Sequence, residues 1–87
     1  MSSDKIAALR KKIDALDRRI IGLLEKRAHI ARAIGREKRR LGLPLLDRRR
    51  ERAVLRNVAS AKGIFPRHAL IRIYKEIIRA STEVEKE

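Results

Sequence analysis

The sequence predicts an all-α protein of three helices, over about residues 4–40, 48–61 and 66–85, with the long first helix covered by a second copy of the chain. Three observations predict it. Apolar residues recur at steps of three and four, the repeat of one helical face. No segment alternates apolar and polar residues between turn signals, as a half-buried strand would. Two stop signals, Leu41-Gly42-Leu43-Pro44 and Lys62-Gly63 followed by Pro66, divide the 87 residues into three segments.

Helix one begins after Ser2, Ser3 or Asp4, all acceptable N-caps. Its apolar face reads Ile6, Leu9, Ile13, Leu16, Ile20 and Leu23, with Ile21 and Leu24 widening it. The next step falls on Arg27, and the pattern resumes at Ile30 and Ile34. A charge in an inner face needs a partner, because an unpaired buried charge is costly. That partner is a carboxylate either of the protein or of a ligand. No proline interrupts the segment before Pro44, so the helix is roughly 50 Å long at 1.5 Å per residue. The remaining chain is too short to cover such a rod, which implies a homodimer.

Asp47 is a suitable N-cap for helix two, whose inner face carries Glu51, Val54, Leu55 and Val58. Pro66 suits the first turn of helix three. One side of that helix carries Leu70, Ile73, Ile77, Ser81 and Val84 or Glu85. The tail from Glu83 to Glu87 is expected to fray at its end. All 87 residues form one domain.

Composition narrows the chemistry. There is no cysteine and there are only two histidines, so neither a thiolate nor a histidine metal site is expected, and no cofactor is called for. No apolar run reaches the length of a membrane span. The first five residues lack the apolar core of a secretory signal, so a cytoplasmic location is expected. The net charge of +13 attracts anions: nucleic acid, anionic membrane, or a small polycarboxylate. Much of it reads as solvated helical surface, at Lys11, Lys12, Arg18, Arg19, Arg36, Arg39 and Arg40.

Several polar residues fall on inner faces. Arg27 and Lys38 are eleven positions apart, about 20° off three full turns, so they share a face roughly 16 Å apart along the axis. Ala31, Ile34 and Gly35 lie between them. Two cations on such a face suit an elongated dianion, although spacing alone favours pairing with protein carboxylates or water. Arg10 sits roughly 25 Å from Arg27 and points elsewhere. It is an exposed arginine unless a partner chain brings it close. Asp47, Arg50 and Glu51 cluster at a helix start that favours anions. Ser81 and Glu85 are i and i+4 on the side of Ile77, where a small packing residue and a solvated tail residue would also be unremarkable.

Together these residues resemble the all-helical chorismate mutase family over nearly the whole chain. The blocks are Leu9-Arg10-Lys11-Lys12-Ile13-Asp14-Ala15-Leu16-Asp17, Leu23-Leu24-Glu25-Lys26-Arg27, Ile34-Gly35-Arg36-Glu37-Lys38, Pro44-Leu45-Leu46-Asp47, Arg50-Glu51-Arg52, and Ile77-Ile78 with Ser81 and Glu85. Each block is weak alone, but the ordered set is specific. The resemblance implies an intertwined homodimer whose sites are each built mainly by one chain. It implies rearrangement of chorismate to prephenate, on the route to phenylalanine and tyrosine. By position, Arg27 and Lys38 would bind substrate carboxylates, with Arg10 supplied by the other chain. Lys38 and Glu85 would face the ether oxygen of the breaking bond. Glu51 would accept from the ring hydroxyl, Asp47 and Arg50 would shape that end, and Ser81 would contact a carboxylate. Ile34 and Ile78 would be apolar walls. Glu85 can donate a hydrogen bond only when protonated, so activity is expected to fall as pH rises.

The nearest rival is an isochorismate–pyruvate lyase on the same scaffold. A basic helical nucleic-acid binder is a more distant one. With two aromatic residues and no reading motif the chain offers little for base stacking or groove recognition, so neither nucleic acid nor membrane is expected as a partner. Relatives of the family are often fused to dehydratase, dehydrogenase or synthase domains, which makes another shikimate-pathway enzyme a candidate partner for this chain.

Overall fold

The computed structural model describes residues 2–87, with the side chain of Ser2 outside the description. Three helices follow in order: α1, Ser2–Leu41; α2, Arg48–Ala59; and α3, Arg67–Glu85. Among the described residues there is no strand, and no helix is long and apolar enough to cross a membrane. α1 begins two residues earlier than expected, so Ser3 and Asp4 lie inside its first turn, where the Asp4 carboxylate complements the helix dipole. The expected cap at Ser2 lies outside the described side chains.

α1 stops where glycine and proline predict, and the geometry shows how. Gly42 has φ 70°, a left-handed conformation that only glycine adopts without penalty. The Gly42 N–H donates to the Arg39 carbonyl at 3.2 Å and the Leu43 N–H to the Lys38 carbonyl at 2.8 Å. This is a Schellman ending, which satisfies two of the orphan carbonyls of the last turn. α2 is capped by Asp47, whose carboxylate accepts from the Arg50 N–H at 3.0 Å. It ends at Ala59, earlier than the expected 61. Ser60 closes it, donating its hydroxyl to the Asn57 carbonyl and its N–H to the Arg56 carbonyl. Pro66 is the N-cap of α3 rather than part of its first turn, and supplies no side-chain cap.

α3 packs on α1 and also on α2, while α1 and α2 do not pack on each other. The C-terminal half of α1, α3 and α2 therefore form a small unit from which the first half of α1 projects. The molecule measures 61 × 24 × 14 Å. Its radius of gyration is 17.0 Å, against about 12 Å for a compact chain of this length. Only Ala31, Val58 and Ile78 form a buried apolar core among the described residues. The inner face of α1 from Ile6 to Leu24 lies bare, its large side chains 40–62 % exposed. Apolar residues at helical spacing have been placed on one stripe, and among the described residues nothing covers them.

The inner side of α3 differs from the expected one. Ile78 is buried, whereas Ile73 is 46 % exposed and Ile77 is half-buried. α3 presents two apolar stripes, and the one with Ile78 faces the neighbouring helices. Ile73 and Ile77 line a second, uncovered apolar groove with Leu24, Ala28, Ala80 and Val84.

α3 comes into close backbone contact with α1 at Gly35, which is buried. A glycine inside a helix costs about 1 kcal/mol relative to alanine, so its place here needs a packing reason. A methyl group on Gly35 would stand 2.7 Å from the Cα of Glu85 and 2.8 Å from its carbonyl carbon. The end of α3 rests on the backbone of α1 at that point. The helix is therefore held through Glu85, and Lys86 and Glu87 lie beyond its end.

Candidate active site

A cleft of about 380 Å³ opens where the three helices meet. α1 contributes Arg27, Ile30, Ala31, Ile34 and Lys38. These fall on one face because steps of three, four and eleven residues return near the same angle. Leu45 comes from the short link, Asp47 is the cap of α2, and Arg50, Glu51 and Val54 are its first turns. α3 adds Ile78, Ser81, Thr82 and Glu85. Nine of the ten residues singled out in the sequence thus share one cleft. Arg10 is the exception: it lies on the exposed first half of α1, roughly 25 Å along the axis from Arg27.

The two cations on α1 have different surroundings. Lys38 is half-buried and donates to Glu85 Oε1 at 2.7 Å and to the Leu45 carbonyl at 2.8 Å. The side chains of Lys38 and Glu85 are only 18 % and 13 % exposed. For Lys38, then, a protein carboxylate is indeed at hand. Arg27 has none within 4.0 Å among the described residues. It donates to Ser81 Oγ, which in turn donates to the Ile77 carbonyl at 2.8 Å. A guanidinium carries five N–H donors, and this bond engages one. The others are available to a ligand at the cleft.

Glu51 presents the opposite case. Its Oε2 is buried and has no hydrogen-bond partner among the described residues. Buried polar atoms are nearly always partnered, and an unpaired one costs about 1–3 kcal/mol. A carboxylate oxygen beside an open cleft is an acceptor waiting for a donor. Three cations (Arg27, Lys38, Arg50) and three carboxylates (Asp47, Glu51, Glu85) line the cleft, so its own formal charges balance.

Sequence reasoning gave no weight to Leu45 and Thr82 as lining residues, and it placed Arg39 in solvent. Leu45 faces the cleft because the Lys38 ammonium holds its carbonyl. Thr82 follows Ser81 on α3 and returns its hydroxyl to the Ile78 carbonyl at 3.2 Å. Arg39 is exposed, yet its guanidinium donates to the carbonyls of Glu85 at 2.6 Å and Glu87 at 2.8 Å. Arg32 pairs with the Glu87 carboxylate at 2.8 Å. No local pattern signals bonds between residues so far apart in the chain.

The fold and cleft define an all-helical domain that sets cationic and acceptor side chains around a space sized for a small polar metabolite. The chain belongs to the chorismate mutase type II family, whose profile matches residues 9–86. The bifunctional chorismate mutase/prephenate dehydratase of Aquifex aeolicus is 38 % identical over 88 residues, covering 95 % of this chain and 24 % of that protein. The chorismate mutase of Methanocaldococcus jannaschii is 37 % identical over 51 residues, 59 % of this chain and 52 % of that one. The chain therefore matches about a quarter and about half of the lengths of these two relatives. Among solved structures, chorismate mutase form II of Thermus thermophilus superposes with a TM-score of 0.90 at 38 % identity, covering 95 % of this chain and 96 % of that one.

Proposed function

We propose that this chain is a chorismate mutase, converting chorismate to prephenate in the cleft between its three helices. The observation that carries the reading is the pairing of opposites in one cleft. Arg27 holds unused donors and no carboxylate, while Glu51 holds a buried oxygen with no donor. A dianion that also bears a hydroxyl answers both. Its carboxylate takes the Arg27 fork, and its ring hydroxyl donates to Glu51. Asp47 and Arg50 bound the hydroxyl end, Ser81 orients Arg27 and reaches the same carboxylate, and Ile34 and Ile78 are the apolar walls.

The reaction is a unimolecular rearrangement. One C–O bond breaks and one C–C bond forms within the substrate, with no covalent enzyme intermediate. The protein has two tasks. It holds a flexible dianion in the compact conformer that brings the reacting carbons together. It also places fixed donors where negative charge grows, at the ether oxygen. The Lys38 ammonium is the main donor. Glu85, which accepts from Lys38 at 2.7 Å, holds that ammonium in place beside the same oxygen.

Two copies complete the site in this reading. The bare face of α1 needs a cover, and a balanced set of lining charges needs an added cation to favour a dianion. A second chain supplies both, the cover through its own α1 and the cation through its Arg10. The fusion of chorismate mutase to prephenate dehydratase in the Aquifex relative supports a further association with an enzyme of the same pathway.

The test is direct. Purified protein is incubated with chorismate and the ultraviolet absorbance of the substrate is followed. Decay with formation of prephenate is expected. No decay with chorismate, but release of pyruvate and salicylate from isochorismate, would replace the mutase with the lyase.

A further inference from the structure

We infer that Gly35 and Arg39 form a cradle on α1 that positions Glu85, so that both residues control turnover without touching the substrate. The inference rests on the chorismate mutase reading for the role of Glu85 and on geometry alone for the cradle.

Glu85 is the last residue of α3. Helix ends fray, and their last carbonyls lack partners within the helix. A group that must stand at one oxygen of a transition state is poorly served by such a place. Three contacts from α1 fix it. Its backbone lies in the notch left by the missing side chain of Gly35. Its carbonyl accepts from Arg39 at 2.6 Å. Its carboxylate faces Lys38 on the cleft side at 2.7 Å.

Arg39 reaches further, to the Glu87 carbonyl, and Arg32 takes the Glu87 carboxylate. Residues 32, 35 and 39 follow at helical spacing, so one stripe of α1 receives the whole end of α3. A cation at the C-terminus of α3 also suits its dipole. The Arg32 and Arg39 contacts are exposed, and exposed pairs contribute little to stability. Their effect is on where Glu85 sits.

The experiment uses the full chain with substitutions Gly35→Ala, Arg39→Ala and Arg39→Lys, each alone and with Glu85→Ala. A misplacement near 1 Å costs up to about 10²-fold in rate, so Gly35→Ala should lower kcat by roughly 10- to 100-fold and Arg39→Ala by less, with KM nearly unchanged. Arg39→Lys keeps a cationic donor and should recover most of the loss. In the Glu85→Ala background, neither Gly35→Ala nor Arg39→Ala should cost more. Hydrogen exchange at residues 82–87 should quicken in Arg39→Ala. Losses that multiply in the Glu85→Ala background, or variants that turn over like the wild type, overturn the positioning role. Unchanged exchange in Arg39→Ala overturns the cradle whatever the activity. A wild type inert toward chorismate overturns the mutase reading and the catalytic half of this inference, while the exchange result still judges the cradle. If Gly35→Ala does not fold, Arg39→Ala decides.

Discussion

Replacing Lys38 by alanine probes the chemistry at its centre. The ammonium makes two short hydrogen bonds, at 2.7 Å and 2.8 Å, and its side chain is 18 % exposed. It is therefore fixed before substrate arrives, as an electrostatic donor must be to act without reorganising. Removing one such preorganised donor elsewhere costs about 3–4 kcal/mol, which at 1.36 kcal/mol per decade is about 10²–10³ in kcat. The substitution also strips Glu85 of its partner. Breaking a fully buried pair costs about 3–5 kcal/mol, but this pair borders an open cleft, so a loss of about 1–2 kcal/mol in stability is expected. Turnover should then fall about a hundredfold or more in a protein that stays helical, far beyond what lost stability explains. The assay is chorismate decay at saturation, with circular dichroism and thermal melting on the same samples. A folded Lys38→Ala protein with kcat within a few-fold of the wild type would refute the assignment of Lys38 as the ether-oxygen donor.

Glu85→Gln keeps a polar group at this place and should retain most of the turnover, whereas Glu85→Ala should lower kcat at least about tenfold; a folded Glu85→Ala protein with wild-type kcat removes Glu85 from the mechanism. Ile13→Glu puts a charge in the bare stripe of α1, and should shift the mass seen by light scattering from dimer to monomer and abolish turnover; a variant that scatters and turns over like the wild type counts against pairing through that face. The Arg79 guanidinium holds the Glu76 carboxyl below its ordinary value of 4.5, so the stability it adds is complete above that pH and is lost as acid carries the group through its folded-state value. The pair is fully exposed and the effect small; melting temperature against pH should be flatter below about 4.5 in Glu76→Gln, and equal acid slopes would show that the pair adds nothing.

Much of the architecture was legible because local rules govern it. The apolar steps along α1, the Gly42–Pro44 stop and the Asp47 cap each report on a neighbourhood of a few residues. The same angular arithmetic put Arg27 and Lys38 on one face. What could not be read was what lies across the chain. A terminal Glu-Val-Glu-Lys-Glu run looks like solvated tail, and only the crossing at Gly35 makes Glu85 half-buried and paired with Lys38. Arg39 looked like surface charge for the same reason. On α3, apolar residues at 70, 71, 73, 77, 78 and 84 fill more than one stripe, and the side read as inner, through Ile73 and Ile77, was the wrong one of them. Packing on α1 and α2 selected the one with Ile78, and Ile73 and Ile77 were left to the uncovered groove.

The bare rod of α1 has a consequence for abundance. With three buried apolar residues among those described, a lone chain has little cohesive free energy to hold it together, and on the proposed pairing its structure and its companion would arrive in one bimolecular event. Melting temperature should then climb with protein concentration. If the proposed mutase acts only as a pair, specific activity should decline on dilution, and a cell making too little of it would lose catalysis faster than it loses molecules.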